Sequence, residues 1–86
     1  LQLQDNSSHS QRMRLLAWLK EKPITTLEAR KYLDILAPAP RIYELRHNLG
    51  FKIATTWLYD TTSEGYSHKV AQYSLLVQLT EEEKKR

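Results

Sequence analysis

At Gly50 the spacing of apolar residues changes from the period of a helix to the period of a strand. Before this glycine, apolar residues recur every three or four positions in three separate stretches. From Phe51 to Tyr59, aromatic and β-branched side chains instead occupy every second position. The first spacing predicts amphipathic helices and the second predicts a strand. The chain is therefore expected to form its helices first and its sheet last, as an α+β fold.

The first helix is expected to begin near Ser8–Ser10 and to end near Glu21. Ser8 and Gln11 have the spacing of a capping box, and Ser10 is a second candidate cap. Pro23 stops the helix, because proline restricts the residue before it and cannot continue a helical hydrogen-bond pattern. One apolar stripe follows the helical period and consists of Leu15, Leu16 and Leu19.

The second helix has the clearest start. Thr25 and Glu28 have the spacing of a capping box, in which each side chain accepts a hydrogen bond from the other residue's backbone amide. Ile24 precedes the box, either as a hydrophobic staple or as a one-residue strand contact. The helix is expected to end near Asp34, after about two to three turns.

A third helix is expected to begin near Pro38, because the first turn of a helix tolerates proline. It is expected to end at Leu49, with Gly50 as a left-handed cap. At ~100° per residue, one face is apolar and forms the anchor of the helix: Pro38, Ile42, Leu45 and Leu49. The opposite face contains Pro40, Glu44 and His47. Three residues flank that face, Arg41, Tyr43 and Asn48, whereas Arg46 lies nearer to the buried edge.

Two strands are expected to form a hairpin after Gly50. The first covers residues 51–60, a turn cluster follows at residues 60–65, and the second strand runs from about His68 to Leu76. Its core face is expected to contain Ala71, Tyr73 and Leu75. Trp57 is expected in the core and not as a stacking platform. Trp18 is expected to cover the edge of the sheet, although a partner contact is the alternative.

With 86 residues, the chain has the length of one small domain. We expect a folded body over residues 10–79, preceded by a flexible lead-in at 1–9 and followed by a charged tail at 80–86. Ten Lys and Arg against six Asp and Glu give the body a net charge of +4. A mild positive charge favours polyanionic partners without establishing one. The chain opens at Leu1 instead of Met, as a processed or excised piece of a longer protein would.

Several segments resemble the winged helix-turn-helix domains of phage and prophage proteins. They are SQRMRLLAWL at 10–19, ITTLEA at 24–29, RIYELR at 41–46, GFKI at 50–53 and VAQYSL at 70–75. Together they span about residues 10–76, and RIYELR followed by GFKI is the most specific part. The resemblance implies three helices followed by a two-stranded β-hairpin wing, and a DNA-binding regulator with its third helix in the major groove. The chain departs from the pattern at Pro38 and Pro40, where such families often have a polar helix start.

On that basis the third helix is expected to supply the base contacts. Arg41 has the donor geometry to bind guanine, and Asn48 or His47 can contact other base edges. Tyr43 offers a hydroxyl to a phosphate or a ring face to a sugar. Glu44 either accepts from a cytosine amine or pairs with Arg41 or Asn48. Pro40 lies on the same outward face. Arg46 either contacts phosphate or binds an acidic partner such as Asp34 or Glu28.

Two further regions are expected to contact the DNA backbone. Thr25 and Thr26 lie at the start of the second helix, whose free amides suit a phosphate, although Thr25 is also a simple cap. The wing carries His68 and Lys69, which suit phosphate or minor-groove contact. His47 and His68 have plain surface roles as their alternatives.

The expected partner is double-stranded DNA, bound by a homodimer through the apolar Leu75–Leu79 run. The function expected is a phage or prophage transcriptional regulator, and the alternatives are an excisionase-like DNA-bending factor and a winged-helix protein-interaction module. No enzyme activity, cofactor, metal, small-molecule substrate or membrane contact is expected. Cysteine is absent, only two glycines are present, and no carboxylate stands at ligand spacing from the three histidines. The expected location is the cytoplasm of a bacterial or phage-infected cell.

Overall fold

Three helices precede a long hairpin in the computed structural model, which describes residues 5–76. The elements are α1 (Ser8–Leu19), β1 (Ile24–Thr25), α2 (Thr26–Leu33), α3 (Pro38–His47), β2 (Ile53–Thr61) and β3 (Ser67–Leu75). This order confirms the α+β prediction and the winged helix-turn-helix arrangement. Most of the apolar Leu75–Leu79 run predicted as a dimer contact, and all of the tail predicted at 80–86, lie outside the described residues.

The sheet has three antiparallel strands in the order β1-β3-β2, so β3 is the central strand. Ile24 pairs with Tyr73, and Ile53 pairs with Leu75 on the same strand. The predicted two-stranded hairpin wing is confirmed as β2 and β3, and β1 adds a short third strand to its sheet. Of the two roles considered for Ile24, a strand contact is the one observed.

The core lies where the three helices pack on the proximal part of the sheet. The predicted stripe of α1 is buried, and so are the predicted core residues Ala71 and Tyr73 of β3. Leu15, Ile24, Ile35, Ile42 and Leu45 are the largest fully buried side chains. Each such side chain stabilises the fold by roughly 1.5–3 kcal/mol relative to an exposed position. The first and third helices are thereby fixed relative to the sheet.

The N-cap of α1 is Ser7, not Ser8 or Ser10 as predicted. Ser7 has extended backbone angles, and its Oγ accepts a hydrogen bond from the backbone amide of Ser10 at 3.2 Å. The carboxylate of Asp5 accepts from the Ser7 amide at 2.9 Å and thereby holds the cap in place. That hydrogen bond lowers the pKa of Asp5. The helix ends at Leu19, two residues before the predicted Glu21.

The capping box of α2 is complete: Thr25 Oγ1 accepts from the Glu28 amide, and the Glu28 carboxylate accepts from the Thr25 amide. At the other end, Asp34 adopts the left-handed conformation with φ of 55° and donates its amide to the carbonyl of Ala29. Thr25 therefore ends a strand and caps a helix at once, which joins the sheet directly to α2.

Helix α3 ends at His47, and Leu49 is not part of its buried face. Leu49 is 50% exposed, whereas Ile42 is 1% exposed. Gly50 is left-handed, as predicted, with φ of 77°. The chain turns there, so that the Phe51 amide bonds to the Leu45 carbonyl and the Phe51 ring packs against the core in place of Leu49.

The distal half of the hairpin extends beyond the core. Trp57 is 62% exposed and Tyr59 is 75% exposed, so the prediction of a buried Trp57 was wrong. The alternation from Phe51 to Tyr59 is real, but only its first half packs into the core. Beyond Thr55 the residues of β2 are exposed or half-buried, whereas Val70 and Ala71, the register partners of Leu58 and Trp57, remain buried on β3.

Candidate nucleic-acid interface

Helix α3 has one exposed side between two supported sides. Ala37 precedes it without a side-chain cap, and Pro38 takes the first position, where a missing N–H is harmless. The exposed side consists of Ala39, Pro40, Tyr43 and His47. The Tyr43 and His47 rings lie 4.3 Å apart between centroids and tilt by 40°. This side presents a hydroxyl and an imidazole to solvent, both of which can bind base edges or phosphates.

Glu44 does not point outward as predicted, because two arginines hold it against α1. Arg12 Nη1 donates to Glu44 Oε1 at 2.9 Å, and Arg41 Nη2 donates to Glu44 Oε2 at 3.2 Å. Arg41 Nε also lies 2.9 Å from Oε1, without the alignment of a hydrogen bond. The predicted alternative, an ion pair between Glu44 and Arg41, is the arrangement observed. We call Arg12, Arg41 and Glu44 the α1–α3 ion cluster.

Arg41 is further engaged at the start of α1, where its Nη1 donates to Ser8 Oγ at 2.7 Å. Its guanidinium is therefore occupied by two partners at the edge of α3. A base contact by Arg41 requires that it leave Glu44 or Ser8.

Arg46 lies on the other edge of α3 and binds β2. Its Nε donates to the Ile53 carbonyl at 2.9 Å, and its Nη2 donates to Thr55 Oγ1 at 2.6 Å. The acidic partners considered for it, Asp34 and Glu28, are not the groups it binds. Arg46 thus fixes the angle between the helix and the wing, and only part of its guanidinium remains for a phosphate.

The remaining predicted contacts are spread over three regions. Asn48 is exposed at the C-terminal end of α3. Thr25 is buried and used as a cap, whereas Thr26 is half-buried on the first turn of α2. His68 and Lys69 are exposed on β3 of the wing. The structure brings Pro40, Tyr43 and His47 together on one surface and leaves the others around it.

Sequence reasoning missed the aromatic surface of the wing. Lys69 Nζ lies 5.8 Å from the centroid of the Trp57 ring, and Tyr59 is the register partner of Lys69. The strand length could have indicated this exposure, because nine-residue strands are longer than the short helices α2 and α3 can cover. Trp18, by contrast, is half-buried, donates its Nε1–H to the Pro23 carbonyl at 3.0 Å and stacks on Tyr32.

Residues 5–76 contain no group of three or more histidine and acidic side chains placed to hold a metal ion. In the same range, no helix has the length and apolar character needed to span a bilayer.

Residues 10–78 match the family model described as a winged helix-turn-helix domain. No curated protein and no solved structure matches the chain significantly.

Proposed function

The chain belongs to the winged helix-turn-helix domain family, and we propose that it is a sequence-specific double-stranded DNA-binding protein that regulates transcription. Membership of the family suggests DNA binding in general. The observation that carries the finer proposal is the exposed side of α3. It is anchored by Pro38, Ile42 and Leu45 and presents polar rings away from the core. A helix anchored in this way has the form required to enter a major groove.

In this proposal Tyr43 and His47 contact base edges, and Asn48 contacts the base or phosphate at the end of the helix. Arg41 binds guanine after exchanging its contacts to Ser8 and Glu44. Pro40 packs on the sugar-phosphate backbone.

Phosphate contacts come from the flanks of the same surface. Arg46 of α3 and Thr26 of α2 contact phosphates, and the N-terminal end of α2, capped by Thr25, adds a partial positive charge. His68 and Lys69 serve from the wing.

We further propose that two copies bind a site with twofold symmetry, because one small domain contacts few base pairs. Leu76 is exposed at the end of β3, next to the half-buried Leu75. An apolar residue at this position suits a contact between copies. A phage or prophage origin, suggested by the sequence resemblance, belongs to the same proposal.

Selection of duplex sites from a random pool, followed by binding measurements at rising salt, tests the proposal. We expect an enriched motif with related half-sites and a log K that falls linearly with log salt, at about −0.9 per neutralised phosphate. A chain that binds no duplex at ~50 mM salt would not be a DNA-binding protein of this kind.

A protein-interaction module is the second candidate, and the state of the α3 arginines favours it. Arg41 and Arg46 are both engaged within the molecule, so the exposed side of α3 offers rings and few cations. A correctly folded chain that binds no duplex at low salt would support this candidate over the first.

A further inference from the structure

A cavity of about 400 Å³ lies between the wing and the helices α2 and α3. Trp57 and Lys69 line it from the wing, Arg30 from α2 and Ala39 from the first turn of α3. It is open to solvent and continues the exposed side of α3 toward the hairpin. Its location places an aromatic ring beside cationic groups next to the proposed DNA-binding helix.

The charged residues that line this cavity are both cations, Arg30 and Lys69, and no aspartate or glutamate is among its lining residues. Asp60 and Glu28 line a neighbouring cavity together with Arg30 and lie outside this one. Asp60 accepts from the Thr61 amide at 2.8 Å, and Glu28 accepts from the Thr25 amide. The cavity therefore favours an anionic occupant.

Trp57 and Tyr59 lie on the same face of β2, because alternate residues of a strand share a face. Their register partners, Ala71 and Lys69, lie on that face too. The two aromatic side chains are two strand residues apart, about 7 Å along the strand. Both side chains are mostly exposed, at 62% for Trp57 and 75% for Tyr59. Lys69 Nζ lies 5.8 Å from the centroid of the Trp57 ring. Flat rings at this spacing, with a cation beside them, suit successive nucleotides of one strand.

We propose that this aromatic wing surface, defined by Trp57, Tyr59 and Lys69, binds single-stranded nucleic acid, with a base stacked on Trp57 and the backbone phosphates held by Lys69 and Arg30. Stacking of this kind requires an unpaired base, because the faces of bases in a duplex are covered by their neighbours. It is tolerant of sequence, since every base has a π-face. The inference rests on the proposed DNA-binding function and deepens it by adding a second form of nucleic acid. Its stacking residues Trp57 and Tyr59 are not among the residues proposed to contact duplex DNA, whereas Lys69 belongs to both sets.

The experiment measures binding of the full chain to labelled twelve-nucleotide oligo-dT, oligo-U and a duplex at ~50 mM salt. Trp57→Ala is expected to weaken single-strand binding by about 5- to 100-fold and to leave duplex affinity unchanged within about twofold. Trp57→Phe retains a ring and should restore most of the loss. Tyr43→Ala removes a matched exposed aromatic from α3, and it should weaken duplex binding while single-strand affinity stays at the wild-type value. The dT and U arms distinguish DNA from RNA as the natural source.

A fluorescence measurement that keeps Trp57 in place tests the same contact without relying on the folding of Trp57→Ala. In a Trp18→Phe background Trp57 is the sole tryptophan, and stacking should quench its emission as oligo-dT is added. Equal single-strand affinity of wild type and Trp57→Ala, or unquenched Trp57 emission at saturation, overturns the proposal. If the wild-type chain binds oligo-dT but no duplex, only the proposed function is contradicted. If it binds duplex but no oligo-dT, only this inference is contradicted.

Discussion

Arg12 of α1 donates a 2.9 Å hydrogen bond to Glu44 of α3 across a sequence separation of 32 residues. Arg41 binds the same carboxylate from one turn away. Glu44 thus neutralises part of the positive charge that the edge of α3 would otherwise present to a phosphate. The carboxylate limits the electrostatic attraction for DNA at this edge, and its removal should be measurable in binding.

Glu44→Gln should raise affinity for duplex DNA, because it releases Arg12 and Arg41 from a negative partner. One additional neutralised phosphate increases affinity by about 8-fold at ~0.1 M salt and steepens the salt slope by about 0.9. Fluorescence anisotropy across a salt series measures both quantities. Glu64→Gln on the exposed turn of the wing makes the same change in net charge, and it should produce a smaller effect. A loss of affinity confined to the preferred sequence would instead show that Glu44 accepts a hydrogen bond from a cytosine amine.

Arg46→Ala should destabilise the fold by roughly 1–2 kcal/mol, because the Ile53 carbonyl and Thr55 hydroxyl lose a charged donor. Arg46→Lys keeps the charge and loses the two-point geometry, so its stability should resemble that of the alanine variant. Urea denaturation followed by circular dichroism provides the free energies of unfolding. If the folded fractions of the two variants bind DNA with equal affinity, Arg46 has a structural role alone. Recovery of affinity in the lysine variant would indicate a phosphate contact.

Ile42→Ala should cost about 2–5 kcal/mol, since Ile42 is buried under α3 and its removal leaves a cavity. Leu49→Ala should cost below about 1 kcal/mol, because half of the Leu49 side chain is in water. Both residues belong to the same apolar stripe of the sequence, which makes them a matched pair. Thermal unfolding of the two variants compares them. Equal destabilisation would contradict the observed difference in burial between Ile42 and Leu49.

The start of α1 should loosen in acid. Asp5 has a lowered pKa because its carboxylate accepts the Ser7 amide, so the folded form binds protons less readily than the unfolded form. The stabilisation is present above the ordinary carboxyl pKa and is lost as pH falls through the lowered value. Amide chemical shifts of Ser7–Ser10 in a titration from neutral pH downward report the change. Asp5→Asn should abolish this titration, and a transition that persists in that variant would have another origin.

Most of the fold follows from local sequence patterns. The box at Thr25 and Glu28, the stripe of α1 and the left-handed Gly50 are set by residues within a few positions of one another, so the sequence predicts them. Ser7 was missed as a cap because Ser8 and Ser10 have equal propensity. The choice depends on Asp5, which fixes the Ser7 amide.

The site was less predictable because its charges depend on neighbours distant in sequence. Glu44 has an outward angle on an isolated helix, and the position of Arg12 decides where its carboxylate lies. Trp57 follows the strand period perfectly. That period identifies a face, but it does not show how far the helices extend over it.

The pairing of Ile24 with Tyr73 makes the sheet depend on residues far apart in the sequence, which affects how the chain folds during synthesis. Among the strands of residues 5–76 the central one comes last in the sequence, and both outer strands pair with it. The sheet described here therefore cannot form before β3, which begins at Ser67, has been synthesised. Contacts so far apart in sequence close late and fold slowly. The helices emerge first with their apolar faces unprotected, so the interval before β3 appears is the period in which a nascent chain is most exposed to aggregation or proteolysis.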